Sequence, residues 1–249
     1  MKPKVLILHA SGTNRDQEAA WAIDLAGGQP EVVHINQLRR RFKALAMYQM
    51  LVVAGGFSYG DALGAGRRLA LNLTLDLADD LTAFMAAGKP ILGICNGFQA
   101  LVKANLLPEP HTRIPSQTVT LTHNQRQHFE CRWVTLLPNY DSPSIFLRDL
   151  TEPIYCPVAH GEGRFVADPD FPENLVTLRY AGSNYPANPN GSSDNIAAIC
   201  NESGTILGLM PHPEDHIVSW QHPRWTRGEQ GNLGLPLFTA GVRYAAQVG

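Results

Sequence analysis

Charge is scarce in this chain: Asp, Glu, Lys and Arg make up 17% of its 249 residues, against roughly 25% in an average globular domain. The 20 basic and 22 acidic side chains leave a net charge of −2, so the composition does not suit a protein that holds nucleic acid by its phosphates. Long hydrophobic runs are lacking too. Val5-Leu6-Ile7-Leu8 and Leu51-Val52-Val53-Ala54 are strand-length, far short of the roughly 20 residues that cross a bilayer, and no membrane span is expected. The four cysteines, Cys95, Cys131, Cys156 and Cys200, form no Cys-x-x-Cys pair. That argues against a disulfide scaffold or zinc ribbon and for a reducing cytoplasm. The amino terminus runs from a short apolar stretch straight into polar Ser11-Gly12-Thr13-Asn14, which reads as a first strand and not as a secretion signal. Neither G-x-G-x-x-G nor G-x-x-x-x-G-K-[ST] occurs, so no cofactor or nucleotide phosphate has a recognisable loop here.

What is present is alternation. Lys4 to His9, Val32 to Ile35, Leu51 to Ala54 and Pro90 to Ile94 read as apolar, β-branched strands. Arg15 to Ala26 and Ala65 to Ala87 carry apolar residues at helical spacing and end near Gly27 and Gly88. Strands buried on both faces imply an α/β fold of the flavodoxin-like, doubly wound kind, with a mostly parallel sheet. Beyond Leu107 the texture changes. Pro108, Pro110 and Pro115 interrupt the chain before period-two stretches at Thr118 to Thr122 and Phe129 to Leu136, which look like added antiparallel strands. Tyr180 to Ser193, rich in Asn, Pro, Gly and Ser, reads as an ordered surface loop. Ile196 to Cys200 and Thr205 to Met210 form a hairpin around Asn201 to Gly204, and Pro236 to Gln247 returns to helix. No repeat or long linker divides residues 1–249, which read as a single domain.

The most informative segment is Gly93-Ile94-Cys95-Asn96-Gly97, at the junction of an apolar strand and an amphipathic helix. Small residues on both sides of a nucleophile permit the sharp strand-to-helix turn that exposes it. At a helix N-terminus the free amides and the helix dipole favour thiolate over thiol. The amide of Asn96 is then aimed at an oxyanion. A buried structural cysteine is the bland alternative, and the flanking glycines and strand–helix context weigh against it. In Met210-Pro211-His212-Pro213-Glu214, proline biases His212 toward an extended conformation, so residues 212 and 214 project to the same side. Glu214 can orient the imidazole while its other nitrogen faces Cys95, completing a Cys95–His212–Glu214 triad.

A metal site at His212 and His216 with Glu214 and Asp215 matches neither H-E-x-x-H nor H-x-x-E-H. His160-Gly161-Glu162 lacks the Pro-Cys-x-x-Cys partner of zinc deaminases, so no metal is expected. Ala54-Gly55-Gly56-Phe57-Ser58-Tyr59-Gly60-Asp61 follows the third strand, at the carboxyl end where open α/β sheets place their sites. Its Gly56 amide is the candidate second oxyanion donor. Arg39-Arg40-Arg41 reads as a solvated helix face or partner contact.

These residues resemble those of the class I, triad-type glutamine amidotransferases, which pair Gly-x-Cys-x-Gly-x-Gln with a later His-Pro-Glu. More narrowly, the chain is similar to the family of glutaminase subunits of phosphoribosylformylglycinamidine synthases in purine biosynthesis. The narrower likeness rests on residues 55–61, 93–99, 159–165, 185–192 and 210–214, in the family's order through most of the chain. The resemblance implies hydrolysis of glutamine to glutamate and ammonia, with Cys95 as nucleophile, His212 as proton shuttle, Glu214 as its orienter and Gln99 helping to hold the substrate. It implies as partners a large synthetase subunit and a small bridging subunit, with ATP and magnesium on the synthetase and no cofactor on this chain. The chain departs from the family at Ala54, where proline is usual, at Ser11 to Asp16, which lacks a frequent cysteine, and in a longer segment between Leu107 and Phe129. The same triad could also serve γ-glutamyl or peptide hydrolysis without ammonia transfer, or survive in a non-catalytic binding module.

Overall fold

The computed structural model describes residues 2–108 and 118–248; Pro110, His111 and Pro115 of the proline-interrupted segment lie outside the described residues. Eleven strands are described: β1 (Lys4–His9), β2 (Gln29–His34), β3 (Met50–Val53), β4 (Ile91–Ile94), β5 (Val119–Thr122), β6 (Glu130–Pro138), β7 (Ile154–His160), β8 (Arg164–Ala167), β9 (Val176–Tyr180), β10 (Ile196–Cys200) and β11 (Ile206–Leu209). Nine of them form one sheet in the order β2-β1-β3-β4-β11-β10-β9-β6-β7, and β5 pairs with β8 separately. From β2 to β11 every neighbouring pair is parallel, and from β11 to β7 every pair is antiparallel. The antiparallel addition is thus larger than the sequence suggests.

The parallel half follows from composition. β1, β3, β4 and β11 consist almost wholly of aliphatic residues, and their interiors are buried, as a sheet covered on both faces requires. The helices are α1 (Asp16–Leu25), α2 (Ile35–Arg39), α3 (Arg67–Leu71), α4 (Ala78–Ala86), α5 (Asn96–Lys103) and α6 (Leu235–Ala245). α1 packs against α6, and α5 lies on β4 against α3.

The single helix expected over Ala65 to Ala87 is broken. After α3 the chain widens into a π turn at Asn72–Asp76, and Leu77 leaves helical torsions at φ −122° and ψ 12° before α4 begins. The amide of Leu77 reaches back to the Asn72 carbonyl at 3.2 Å, the i to i+5 bond of a π turn. Asn72 is held from both sides. It accepts from the Tyr59 hydroxyl at 2.7 Å and donates to Asp76 at 2.8 Å. Side-chain bonds to the glycine-rich loop therefore override a pattern that reads as continuous helix.

β7, β8 and β9 do not stand out in the sequence. β7 alternates buried and half-buried residues, yet Pro157 sits in its middle, a residue that argues against a central strand. β7 is an edge strand, where a missing ladder donor is tolerated, and the Pro157 carbonyl accepts from the His212 amide at 2.8 Å.

Candidate active site

β4 and β11 are parallel neighbours in register, Ile94 opposite Leu209, so both chains leave the sheet at the same edge. The Cys95 amide donates to the Leu209 carbonyl at 2.7 Å, which sets Cys95 beside the start of the 210–214 segment. β3, on the other side of β4, delivers the glycine-rich loop to the same edge. Three glycines allow this crowding. A Cβ on Gly97 would overlap the Val53 carbonyl, one on Gly93 would strike Leu101, and one on Gly208 would strike the ring of Phe98. Phe98 is fully buried, a burial that contributes about 2–3 kcal/mol and seats α5 on the sheet.

Cys95 caps α5 with φ 49° and ψ −105°, a conformation that L residues rarely adopt and that persists only where the surroundings enforce it. The strained strand-to-helix turn read from Gly93 to Gly97 is therefore present. Its thiol lies 3.8 Å from the Ala159 carbonyl at the end of β7, and the residue is only 5% exposed.

His212 and Glu214 are 3% and 0% exposed, and the imidazole Nδ1 donates to Glu214 Oε1 at 2.7 Å. His212 avoids helical torsions as expected, at φ −107° and ψ 82°, but the residues after it do not continue extended. Pro213–Asp215 form one 3₁₀ turn, closed by the Asp215 amide on the His212 carbonyl at 3.2 Å. Burial is the largest influence on His212 and disfavours its charge, but the Glu214 carboxylate and Cys95 together outweigh it and hold the imidazole well above its ordinary range. Glu214 Oε2 has no hydrogen-bond partner among the described residues, so the buried carboxylate depends on the imidazolium for its balance.

The amides of Gly56 and Asn96, the expected oxyanion donors, donate to no hydrogen-bond acceptor among the described residues. Gly56 has φ +124°, and its neighbour Gly55 packs on His212, where a Cβ would lie 2.8 Å from Cε1. The Asn96 side chain has a task the sequence does not reveal. Its oxygen accepts from the Ser58 amide at 3.2 Å and from the Ser58 hydroxyl, and its nitrogen donates to Asp61 at 2.9 Å and to Gln99 at 3.1 Å. Gln99 passes the chain on by donating to the Glu162 carbonyl. Both ends of the Gln99 amide are thus engaged inside the protein, fastening the 160–163 loop to α5. Asp61, raised by burial, and Lys103, lowered by burial, lie beside Glu162, whose carboxylate also accepts from the Ala65 amide.

His160 faces Asn124. Asn124 Oδ1 accepts from the Gly163 amide at 2.9 Å and from His160 Nδ1 at 3.1 Å, while its nitrogen donates to the His128 and His160 carbonyls. Burial, with the charge of His212, pushes His160 down to about 3, so it stays neutral. His216 Nδ1 bonds the Tyr155 carbonyl, away from His212. Among the described residues no group of three or more His, Cys, Asp or Glu side chains could hold a metal ion. The loop expected at Tyr180 to Ser193 is ordered but not wholly superficial, because Asn188, Asn190 and Ser192 are buried. Asn190 donates to the Gly163 carbonyl at 2.7 Å, and Ser192 accepts from the Phe165 amide at 3.0 Å. Polar side chains here supply partners that a strand would otherwise provide.

Residues 2–245 match the family described as CobB/CobQ-like glutamine amidotransferase domain. The chain belongs to this glutamine amidotransferase family. It is 45% identical over 269 residues to phosphoribosylformylglycinamidine synthase subunit PurQ of Treponema denticola, covering 98% of this chain and 99% of that protein. It is 45% identical over 257 residues to the protein of the same name from Dehalococcoides mccartyi, covering 99% of each. Among solved structures it is similar to a chain of PurLQS from Thermotoga maritima, with a TM-score of 0.78 and 33% identity over 98% of this chain and 99% of that one. The amidotransferase membership expected from the two motifs is borne out, as is the α/β fold with its mixed sheet.

Proposed function

We propose that the chain, as one amidotransferase unit, is the glutaminase subunit of a phosphoribosylformylglycinamidine synthase, releasing ammonia from glutamine for an ATP-dependent synthetase subunit. The observation that carries the chemistry is the buried His212–Glu214 pair, joined at 2.7 Å, beside Cys95 on its strained turn. The partners are those of its PurQ and PurLQS relatives, a synthetase subunit and a small bridging subunit. ATP and magnesium belong to the synthetase. The compartment is the cytoplasm, a reading supported by four free cysteines. No described helix is long and apolar enough to cross a membrane.

In the reaction the Cys95 thiolate attacks the carboxamide carbon of glutamine, and the new oxyanion is received by the amides of Gly56 and Asn96. The His212 imidazolium gives its proton to the departing amine, so ammonia leaves and a γ-glutamyl thioester remains. Neutral His212 then takes a proton from water as the hydroxide adds to the thioester, and collapse of the intermediate expels the Cys95 thiolate beside the renewed imidazolium while the product carboxyl loses its proton to solvent and leaves as glutamate. Glu214 holds the ring through both steps, and Gln99 braces the loop over the substrate.

Gly55→Ala is expected to lower kcat roughly 10- to 100-fold with KM little changed, because the new methyl must displace the imidazole from its line to Cys95. Steady-state glutaminase kinetics check it; an unchanged kcat would mean that the ring has room to move without consequence.

The nucleophile is covered, which leads to a second expectation: the isolated chain should hydrolyse glutamine slowly, and the synthetase partner should raise turnover by roughly tenfold or more through a state it binds more tightly. Glutaminase kinetics on the single chain and on the assembled complex test the functional reading as well. Partner-dependent ammonia supports it, whereas partner-independent cleavage of γ-glutamyl peptides would favour the hydrolase alternative.

A further inference from the structure

Three backbone hydrogen bonds fasten the segment after β1 to the glycine-rich loop. The Arg15 amide donates to the Gly55 carbonyl at 3.3 Å, the Phe57 amide to the Gly12 carbonyl at 3.1 Å, and the Tyr59 amide to the Ser11 carbonyl. Gly12 is committed to this contact, with φ +95° and a Cβ position that would overlap the Phe57 carbonyl. From the same residue the Arg15 side chain runs to the catalytic turn, where its Nε lies 3.4 Å from Asp215 Oδ2. Asp215 follows Glu214 directly and closes the 3₁₀ turn on the His212 carbonyl.

We infer that Arg15 is a positioning residue of the glutaminase site, tying the loop that carries the Gly56 amide to the turn that carries His212 and Glu214. The inference rests on the glutaminase reading. Its physical content is that oxyanion donor and imidazole belong to separate loops, after β3 and after β11, and must keep one spacing while substrate enters. Arg15 holds the first through its backbone and the second through its guanidinium, with Glu18 at 3.2 Å as a further brace on the guanidinium.

Charge supports the same role. Burial, and then the Glu214 carboxylate, lift Asp215 to about 6. His212 and Arg15 oppose this and Glu18 adds to it, while the Cys156 thiol on β7 also faces the carboxylate. His212, and after it Arg15, are the charges that favour an ionised Asp215 beside Glu214.

The test is a double-mutant cycle in glutaminase kinetics of the full chain assembled with its synthetase. Arg15→Gln and Asp215→Asn should each lower kcat roughly tenfold with KM within about twofold, and the double variant should be no worse than the poorer single one. Arg15→Lys should recover most of the loss. In the wild type one ionisation near pH 6 should reduce kcat as pH falls, because Asp215 takes up a proton and the pair is lost; Asp215→Asn should lack that step. Melting temperatures accompany each variant, and should Arg15→Gln unfold, Asp215→Asn and Arg15→Lys carry the comparison. Multiplicative losses, a change confined to KM, or unchanged kcat in both single variants would overturn the inference while leaving the glutaminase reading standing. A wild-type complex that hydrolyses no glutamine overturns both.

Discussion

Cys95→Ala and Cys95→Ser are expected to abolish glutamine-dependent synthesis by the reconstituted synthase, by roughly four orders of magnitude or more, while synthesis from high ammonia stays nearly intact. The size of the effect follows from the geometry. Cys95 occupies the strained cap of α5, at φ 49°, beside the His212 imidazole. The expected division between the two activities rests on the proposed role, in which amide cleavage belongs to this chain and ATP chemistry to the synthetase. The measurement is product formation with glutamine and with ammonium salt in parallel. Equal loss of both in a complex that still assembles would sink the separation of amide cleavage from ATP chemistry.

His212→Ala should lower glutaminase turnover by about three to four orders of magnitude, more than Glu214→Gln. The first removes the proton carrier for both half-reactions. The second removes the charge that holds the imidazole cationic against burial, but keeps a hydrogen-bond acceptor at the same place. Glu214 is completely buried, so glutamine, of nearly the same volume, is the substitution that keeps the turn packed. Alkylation of Cys95 by iodoacetamide across pH reports the pair directly. If His212 is the partner of the cysteine, removing its charge in His212→Ala should change the pH profile of that alkylation. An unchanged profile would show that His212 is not the thiolate's partner.

Much of the site was legible because its chemistry is local. Gly93 to Gly97 places a nucleophile between two small residues at a strand end, and the structure realises that turn. His212 and Glu214 are two residues apart and meet at 2.7 Å, through a 3₁₀ turn where the sequence suggested an extended segment; either conformation joins residues so close in the chain. Arg15 with Asp215, Asn124 with His160, and Asn190 with Gly163 left no such signal, because each pair joins distant segments and no spacing rule relates them. The helix expected across Ala65 to Ala87 fails for the same reason, since Tyr59, outside the window, holds Asn72 and widens the turn.

The sequence by itself determined the chemical class of the site and the parallel half of the sheet. Periodicity, glycine at tight turns and proline beside histidine act over a few residues, and each is written in the order of the chain. Only the tertiary structure decided how the antiparallel strands join into a four-strand extension of the parallel sheet, the break at Leu77 and the span from Arg15 to Asp215. Those depend on strand register and on side chains brought together from remote segments, so their free energy exists only once the sheet has assembled.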